Sequence, residues 1–285
     1  MATRTKIQTK AARSKRPASA PVISTLTAIR AAHHEGFDRV VFEFDGPVPA
    51  QRDVAFVPEI IADASGLVVP MFGAAFLSVT FSEATNHNDA GTVFTAERTT
   101  CGLPNVIQVV RSGDFEAVLS FGIGLARSGS IDVFTLSNPS RVVIDIAAAF
   151  STVQTRVFFV DSHRFEIGQE PYTRAVFRPV IPPNVAARSL DWLFAGPTPA
   201  ELAGGLTLVN SDATGFSNVS ISNRVARVRL AGGADSHGST LTIASEIFPL
   251  LKQFPTVRWV KILDPNGQTQ NPTGQSDSIP AGLEP

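Results

Sequence analysis

Between Val22 and Phe150 the chain repeats one pattern: short runs rich in valine and phenylalanine, interrupted by turn residues. The runs are Asp38–Asp45 (DRVVFEFD), Ala74–Phe81 (AAFLSVTF), Asn105–Arg111 (NVIQVVR), Phe115–Phe121 (FEAVLSF), Ile131–Leu136 and Arg141–Ile146 (RVVIDI). Gly46-Pro47, Asn86–Gly91, Ser112-Gly113-Asp114 and Ser128–Ser130 separate them. Short β-rich runs at intervals of roughly 8–12 residues, with no helical period between them, predict an all-β sandwich or barrel-like domain. The Ser112–Asp114 turn is expected to close a hairpin.

After residue 150 the pattern changes. Arg156–Val160 and Arg174–Val180 read as strands, and then Asn184–Ala195 (NVAARSLDWLFA) places Ala186, Leu190, Leu193 and Phe194 at helical spacing before Gly196-Pro197. Thr198, Pro199 and Glu201 stand in the order of a capping box with proline in the first turn. Asn218–Ile221 and Ala226–Leu230 flank a turn at Ser222–Arg224 and predict a hairpin. Leu241, Ala244, Ile247, Phe248, Leu251 and Phe254 form a second helical stripe that ends at Pro255, with Asp235–Ser239 expected to cap a helix starting near Ser239 or Thr240. Val257–Leu263 is the last strand, Asp264–Gly267 a turn. Mixed strands and two main helices over a small sheet predict an α+β domain. The expected organisation is a basic disordered arm at 1–21, a β domain at 22–150, the α+β domain at 151–265 and a flexible tail at 266–285.

Composition narrows the class. With 44% apolar and 17% charged residues in 285, the chain can fill packed cores and is not disordered throughout. No apolar run reaches the ~18–20 residues of a membrane-spanning helix. The single Cys101 excludes an internal disulfide and multi-cysteine metal frameworks. Of the aromatics, 20 are Phe against 2 Trp and 1 Tyr, which points to cores rather than to binding faces with a polar handle. Charge is uneven: Arg4, Lys6, Lys10, Arg13, Lys15 and Arg16 give residues 1–21 a charge of +6 with no acid, leaving 18 bases against 25 acids elsewhere, a net −7. That arm is either a solvated tail or an electrostatic tether to an acidic surface or nucleic acid. No apolar stretch follows it as in a secretory signal, and no lipobox is present.

Ala32–Asp45 (AHHEGFDRVVFEFD) and Asn138–Ile146 (NPSRVVIDI) resemble the opening and closing strands of the AMIN-like domain of bacterial cell-envelope proteins. Ala186–Glu201 (AARSLDWLFAGPTPAE) and Gln253–Leu263 (QFPTVRWVKIL) resemble the GerMN domain of sporulation and germination proteins. The resemblances imply an extracytoplasmic envelope setting, protein partners, self-association through the GerMN-like part, and peptidoglycan as a ligand of the first. Two features depart from the families: the absent export signal and Pro249 inside the second helical stripe, where proline removes a backbone hydrogen bond.

Polar clusters offer few sites. His33 and His34, with Glu35, Asp38 and Arg39, read as a polar loop or a metal site, although adjacent histidines on a strand point apart. Arg39 and Arg141, each followed by Val-Val, are expected to pair with Asp38, Glu43 or Asp145, or else to contact a ligand. Asp161-Ser162-His163 and Asp235-Ser236-His237 cannot form hydrolase triads from consecutive residues and are expected to be loops, and no nucleophile elbow is present. Gly122–Gly124 and Gly232-Gly233 lack the phosphate-loop lysine. Peptidoglycan contact would have to proceed without exposed Trp or Tyr, since residues 1–150 contain neither. The expectation is a non-enzymatic binding or assembly protein without cofactor or metal, its candidate contacts at Arg39, Arg141, His33 and His34. The alternative is a particle-associated or intracellular structural protein tethered by the arm.

Overall fold

Alternation of buried and outward residues along each strand builds two facing sheets. In the computed structural model, residues 22–88 and 90–284 are described; the six basic residues of the arm lie outside them. The strands are β1 (Ser24–His34), β2 (Phe37–Asp45), β3 (Arg52–Val57), β4 (Ala75–Ser82), β5 (Ala84–Thr85), β6 (Arg98–Thr100), β7 (Val106–Phe115), β8 (Val118–Leu125), β9 (Ile131–Leu136) and β10 (Ser140–Ala147). One sheet runs β5–β1–β2–β10–β9, the other β3–β4–β8–β7–β6. On β2, Asp38, Val40, Phe42 and Phe44 face inward, while Phe37, Arg39, Val41 and Glu43 face out. Phe42 is the centre of the core, its ring 5.1 Å from Phe81 and 5.2 Å from Phe121. The sandwich expectation is met.

The hairpin between β7 and β8 differs from expectation. Its turn is Glu116-Ala117, with φ of 50° and 58°, and the strand runs on through Ser112–Asp114 with a register shift between Arg111 and Gly113. Gly113 serves a close approach instead: a Cβ there would stand 1.8 Å from Asp63 Oδ2. Residues 58–74 lie over the outside of this sheet, as Gly124 confirms, since its Cβ would meet the Phe72 carbonyl at 2.3 Å. β8 is therefore buried on both faces.

The second half follows with β11 (Val153–Asp161), α1 (Ser162–Glu166), β12 (Thr173–Val180), α2 (Val185–Ala195), α3 (Pro199–Ala203), β13 (Leu206–Thr207), β14 (Ala213–Ser222), β15 (Val225–Gly232), α4 (Ala244–Lys252) and β16 (Trp259–Leu263). Its strands divide into β12–β11–β13 and β14–β15–β16, the latter with a parallel β15–β16 pair. The helices α2 and α4 pack on β11 and on each other, burying Leu190, Leu193, Ile247 and Leu251 with Val157, Phe159, Val228 and Ile262. The capping box is present: Thr198 Oγ1 accepts from the Glu201 N–H and Glu201 from the Thr198 N–H. Inside this core, Glu246 of α4 accepts from the Val160 N–H at 3.1 Å and the Val209 N–H at 3.3 Å. Burial, only partly offset by these two bonds, pushes its carboxyl up to about 8.

Three expectations are corrected here. Asp235–Ser239 caps no helix: α4 begins at Ala244 behind Ile243, whose side chain makes no cap, and Asp235 instead accepts from the His237 N–H. Asp161–His163 is not loop but the start of α1, which Asp161 caps by accepting from the Arg164 N–H. The expected tail is packed. Ser278 bridges to Lys261 in parallel beside β16, its N–H donating to Val260 and its carbonyl accepting from Ile262. Lys261, fully buried, donates to the Asn271 carbonyl, and Leu283 is buried in the second core. Backbone pairing along an open strand edge fixes this segment, and composition does not signal that.

Candidate functional site

The named residues of the first half fall on two sides of β2. Asp38 is turned inward and fully buried. Its Oδ2 accepts from the N–H groups of Asn105 (2.7 Å) and Val106 (2.9 Å), and its Oδ1 lies 2.7 Å from His33 Nδ1. Asn105 extends the knot, donating to the Ala147 carbonyl (2.7 Å) and accepting from the Arg127 N–H (2.9 Å). One carboxylate thus ties the two sheets at the end of the sandwich. Cys101 stands close enough for Asp38 to act on it; burial first, and Asp38 second, push its thiol up to about 12. That makes it a poor nucleophile.

Arg39 sits on the opposite, outward side. It donates from Nε and Nη2 to both oxygens of Asp145, at 2.6 and 2.7 Å, the fork geometry in which arginine matches a carboxylate. Its guanidinium lies 5.2 Å from the Phe37 ring and 5.3 Å from the Phe134 ring. His34 stacks on Phe37 at 4.9 Å, and with Arg30, Ala32 and Val41 it borders a shallow groove beside Arg39. Arg141 shares this face, opposite Glu43 in register, about 13 Å along the strand from Arg39. It has no ion pair among the described residues: it donates to the Pro139 carbonyl at 3.3 Å, and Glu43 pairs with Arg30 instead. The structure therefore brings Arg39, His34 and Arg141 to one open sheet face and takes His33 away from it to Asp38. Among the described residues, none packs over this face as residues 58–74 pack over the other sheet; Arg30, Ala32 and His34 on it are exposed.

No group of three or more His, Cys, Asp or Glu among the described residues is placed to hold a metal ion. His237 pairs with Asp212 at 3.0 Å in the open. Asp212 first, and Asp235 after it, raise the pKa of His237.

In the second half, Arg178 is buried between the Phe159 and Trp192 rings, 5.9 Å from each, and forks onto Glu201. Trp192 donates its indole N–H to the Pro179 carbonyl at 3.0 Å. The two halves meet beside it, where Thr100 donates its hydroxyl to the Ala195 carbonyl and Phe72 stacks on Phe194 at 6.0 Å.

Residues 24–148 match the family model of the AMIN-like domain, and residues 156–271 match that of the sporulation and spore germination domain. The chain is an AMIN-like domain followed by a sporulation and spore germination domain. No curated protein and no solved structure matches it. The AMIN-like match spans the sandwich from the first residue of β1 to Ala148, just past β10, so the open face of β1, β2, β10 and β9 belongs wholly to it. The germination match spans both small sheets and runs past β16 into the strap at 268–271. AMIN domains are associated with peptidoglycan and protein binding. No helix of the described residues is long and apolar enough to cross a membrane.

Proposed function

We propose that the chain is a non-enzymatic binding and assembly protein of cell-envelope or sporulation type, and that its AMIN-like domain presents the outer face of β1, β2, β10 and β9 to the cell wall or to a protein partner. The asymmetry of the sandwich carries this reading. One sheet is covered on its outside by residues 58–74, while the other keeps on its open face Arg39, set against Phe37 and Phe134 and paired with Asp145, Arg30 paired with Glu43, and Arg141 with no ion pair among the described residues. Cations interleaved with aromatic rings suit ligands with carboxylates and apolar sugar or peptide faces. The germination domain supplies self-association in this reading. Co-sedimentation with purified peptidoglycan sacculi tests the face, using Arg30→Gln/Arg141→Gln, which removes both charges without setting a new carboxylate beside Glu43. The double variant is expected to bind at least about tenfold more weakly with an unchanged melting temperature. Equal sedimentation of variant and parent removes the face from the account; no sedimentation of the parent removes the wall as its ligand.

The charge asymmetry supports a second reading, in which residues 1–21 tether the protein to nucleic acid or another acidic surface. Deleting them should then flatten the salt dependence of duplex-DNA binding between about 50 and 200 mM salt. Identical slopes would make the arm irrelevant to binding.

A further inference from the structure

Where the two domains meet, their packing leaves a cavity of about 330 Å³, within the small end of ligand sites, about 300–1,000 Å³. Its walls come from both sides: Ile107 and Arg127 from the AMIN-like domain, Val180, Arg188, Asp191 and Trp192 from the germination domain. The walls are held in place by packed elements. Ile107 is buried within the second core, and the Thr100–Ala195 hydrogen bond and Phe72–Phe194 stack join the domains along the same seam.

The polar groups around the cavity are unevenly satisfied. The Trp192 N–H is engaged by Pro179. The buried Asp191 carboxylate accepts from Arg188 Nη1 at 3.0 Å, and that is its one side-chain partner among the described residues. Arg188 keeps its other guanidinium N–H groups, with 37% of its side chain exposed. Arg127 makes no side-chain hydrogen bond or ion pair among the described residues; its guanidinium lies 5.6 Å from the Phe150 ring. Left unused among the described residues are guanidinium donors on Arg127 and Arg188, the second Asp191 oxygen and the Asn184 side-chain amide; with two arginines against one carboxylate, the site carries one net positive charge. Apolar surface from Ile107, Val180, Ile181, Trp192 and neighbouring prolines forms most of the rest. A ligand that fits has one acceptor-only, singly charged end and an apolar body. A phosphate dianion fits worse, because Asp191 would repel its second charge.

We propose that this cavity binds a small organic monocarboxylate, its carboxylate held between Arg127 and Arg188 and its apolar body against Ile107, Val180 and Trp192. The ligand touches both domains, so its binding draws them together. This site stands apart from the open sheet face and does not depend on it.

The test is calorimetric titration of the intact protein with benzoate, indole-3-acetate and octanoate, each beside its uncharged amide. At least one acid is expected to bind saturably with one site per chain, with its amide about tenfold weaker or more. Arg127→Ala should weaken the acid about tenfold, and Arg127→Lys should recover part of the loss. Because Arg127 is exposed, ligand-free Arg127→Ala should melt with the parent, which separates lost binding from lost folding. Arg30→Gln/Arg141→Gln should bind the acid unchanged. Acid and amide binding alike, full affinity in Arg127→Ala, or no binding of any acid up to about 10 mM would each overturn the proposal.

Discussion

Asp38 in the AMIN-like domain and Glu246 in the germination domain are both fully buried, and they are held in opposite ways. Asp38 has short contacts on each oxygen, from two backbone N–H groups at 2.7 and 2.9 Å and from an imidazole able to carry positive charge. Glu246 has two longer backbone donors, the Val160 N–H at 3.1 Å from Oε1 and the Val209 N–H shared between Oε1 at 3.3 Å and Oε2 at 3.4 Å, and no ion pair among the described residues. The first arrangement satisfies the carboxylate and makes it a tie between sheets. The second leaves burial dominant, so that the neutral acid is the form the fold prefers. Burial alone therefore does not decide what a carboxylate does; its donors do.

Asp38→Ala should have the largest effect. It strands the Asn105 and Val106 N–H groups in the core and frees His33, and it should cost about 3–5 kcal/mol. Urea unfolding measures it, and a loss below about 1 kcal/mol would break the claim that this carboxylate joins the sheets.

Glu246 should show itself through pH. Its folded pKa of about 8 lies above the ordinary 4.5. The stability it contributes is thus fully present below about pH 4.5, and is lost as pH rises towards 8. The parent protein should lose up to several kcal/mol across that window relative to Glu246→Gln, which keeps the shape and cannot ionise. At pH 5 the two should be nearly equal, and at pH 8.5 the variant should be the more stable. Parallel stability curves from pH 5 to 8.5 would show that Glu246 titrates normally, and the contrast with Asp38 would fail.

Much of this contrast was open to reading in the chain. The period of two in DRVVFEFD puts Asp38 on the same side as Val40, Phe42 and Phe44, which marks it as an inward carboxylate. Read as part of the polar cluster around His33, it was missed. The capping box at Thr198–Glu201 and the helix over Val185–Ala195 were legible because local bonds and a single apolar stripe determine them. Gly113 was misread because a glycine between Ser and Asp signals a turn, whereas here it admits a distant side chain, Asp63. The strap at 268–284 and the junction cavity had no local signal at all. Both arise where segments far apart in sequence meet, Ser278 beside β16 and Arg127 across from Trp192.

The smallest expected effect separates two arginines that the chain presents alike. Arg39 and Arg141 each precede Val-Val on neighbouring strands and lie on the same face. Arg39 is fixed by a two-pronged bond to Asp145 between two phenylalanine rings. Among the described residues Arg141 reaches only the Pro139 carbonyl, while Glu43 pairs with Arg30. Removing Arg39 loses a well-formed but half-exposed pair and its ring contacts, for about 1 kcal/mol. Removing Arg141 should stay within about 0.5 kcal/mol. Asp145→Ala should cost no more than Arg39→Ala, which also loses the ring contacts, and the double variant should cost little more than Arg39→Ala alone, since the pair is one shared interaction. Thermal melts of the four proteins decide it. Equal losses at Arg39 and Arg141, or additive losses at Arg39 and Asp145, would mean that the pair contributes nothing beyond its surroundings. A confirmed difference would leave Arg141 as the arginine on this face with no structural duty, and so the sharper probe of what the face binds.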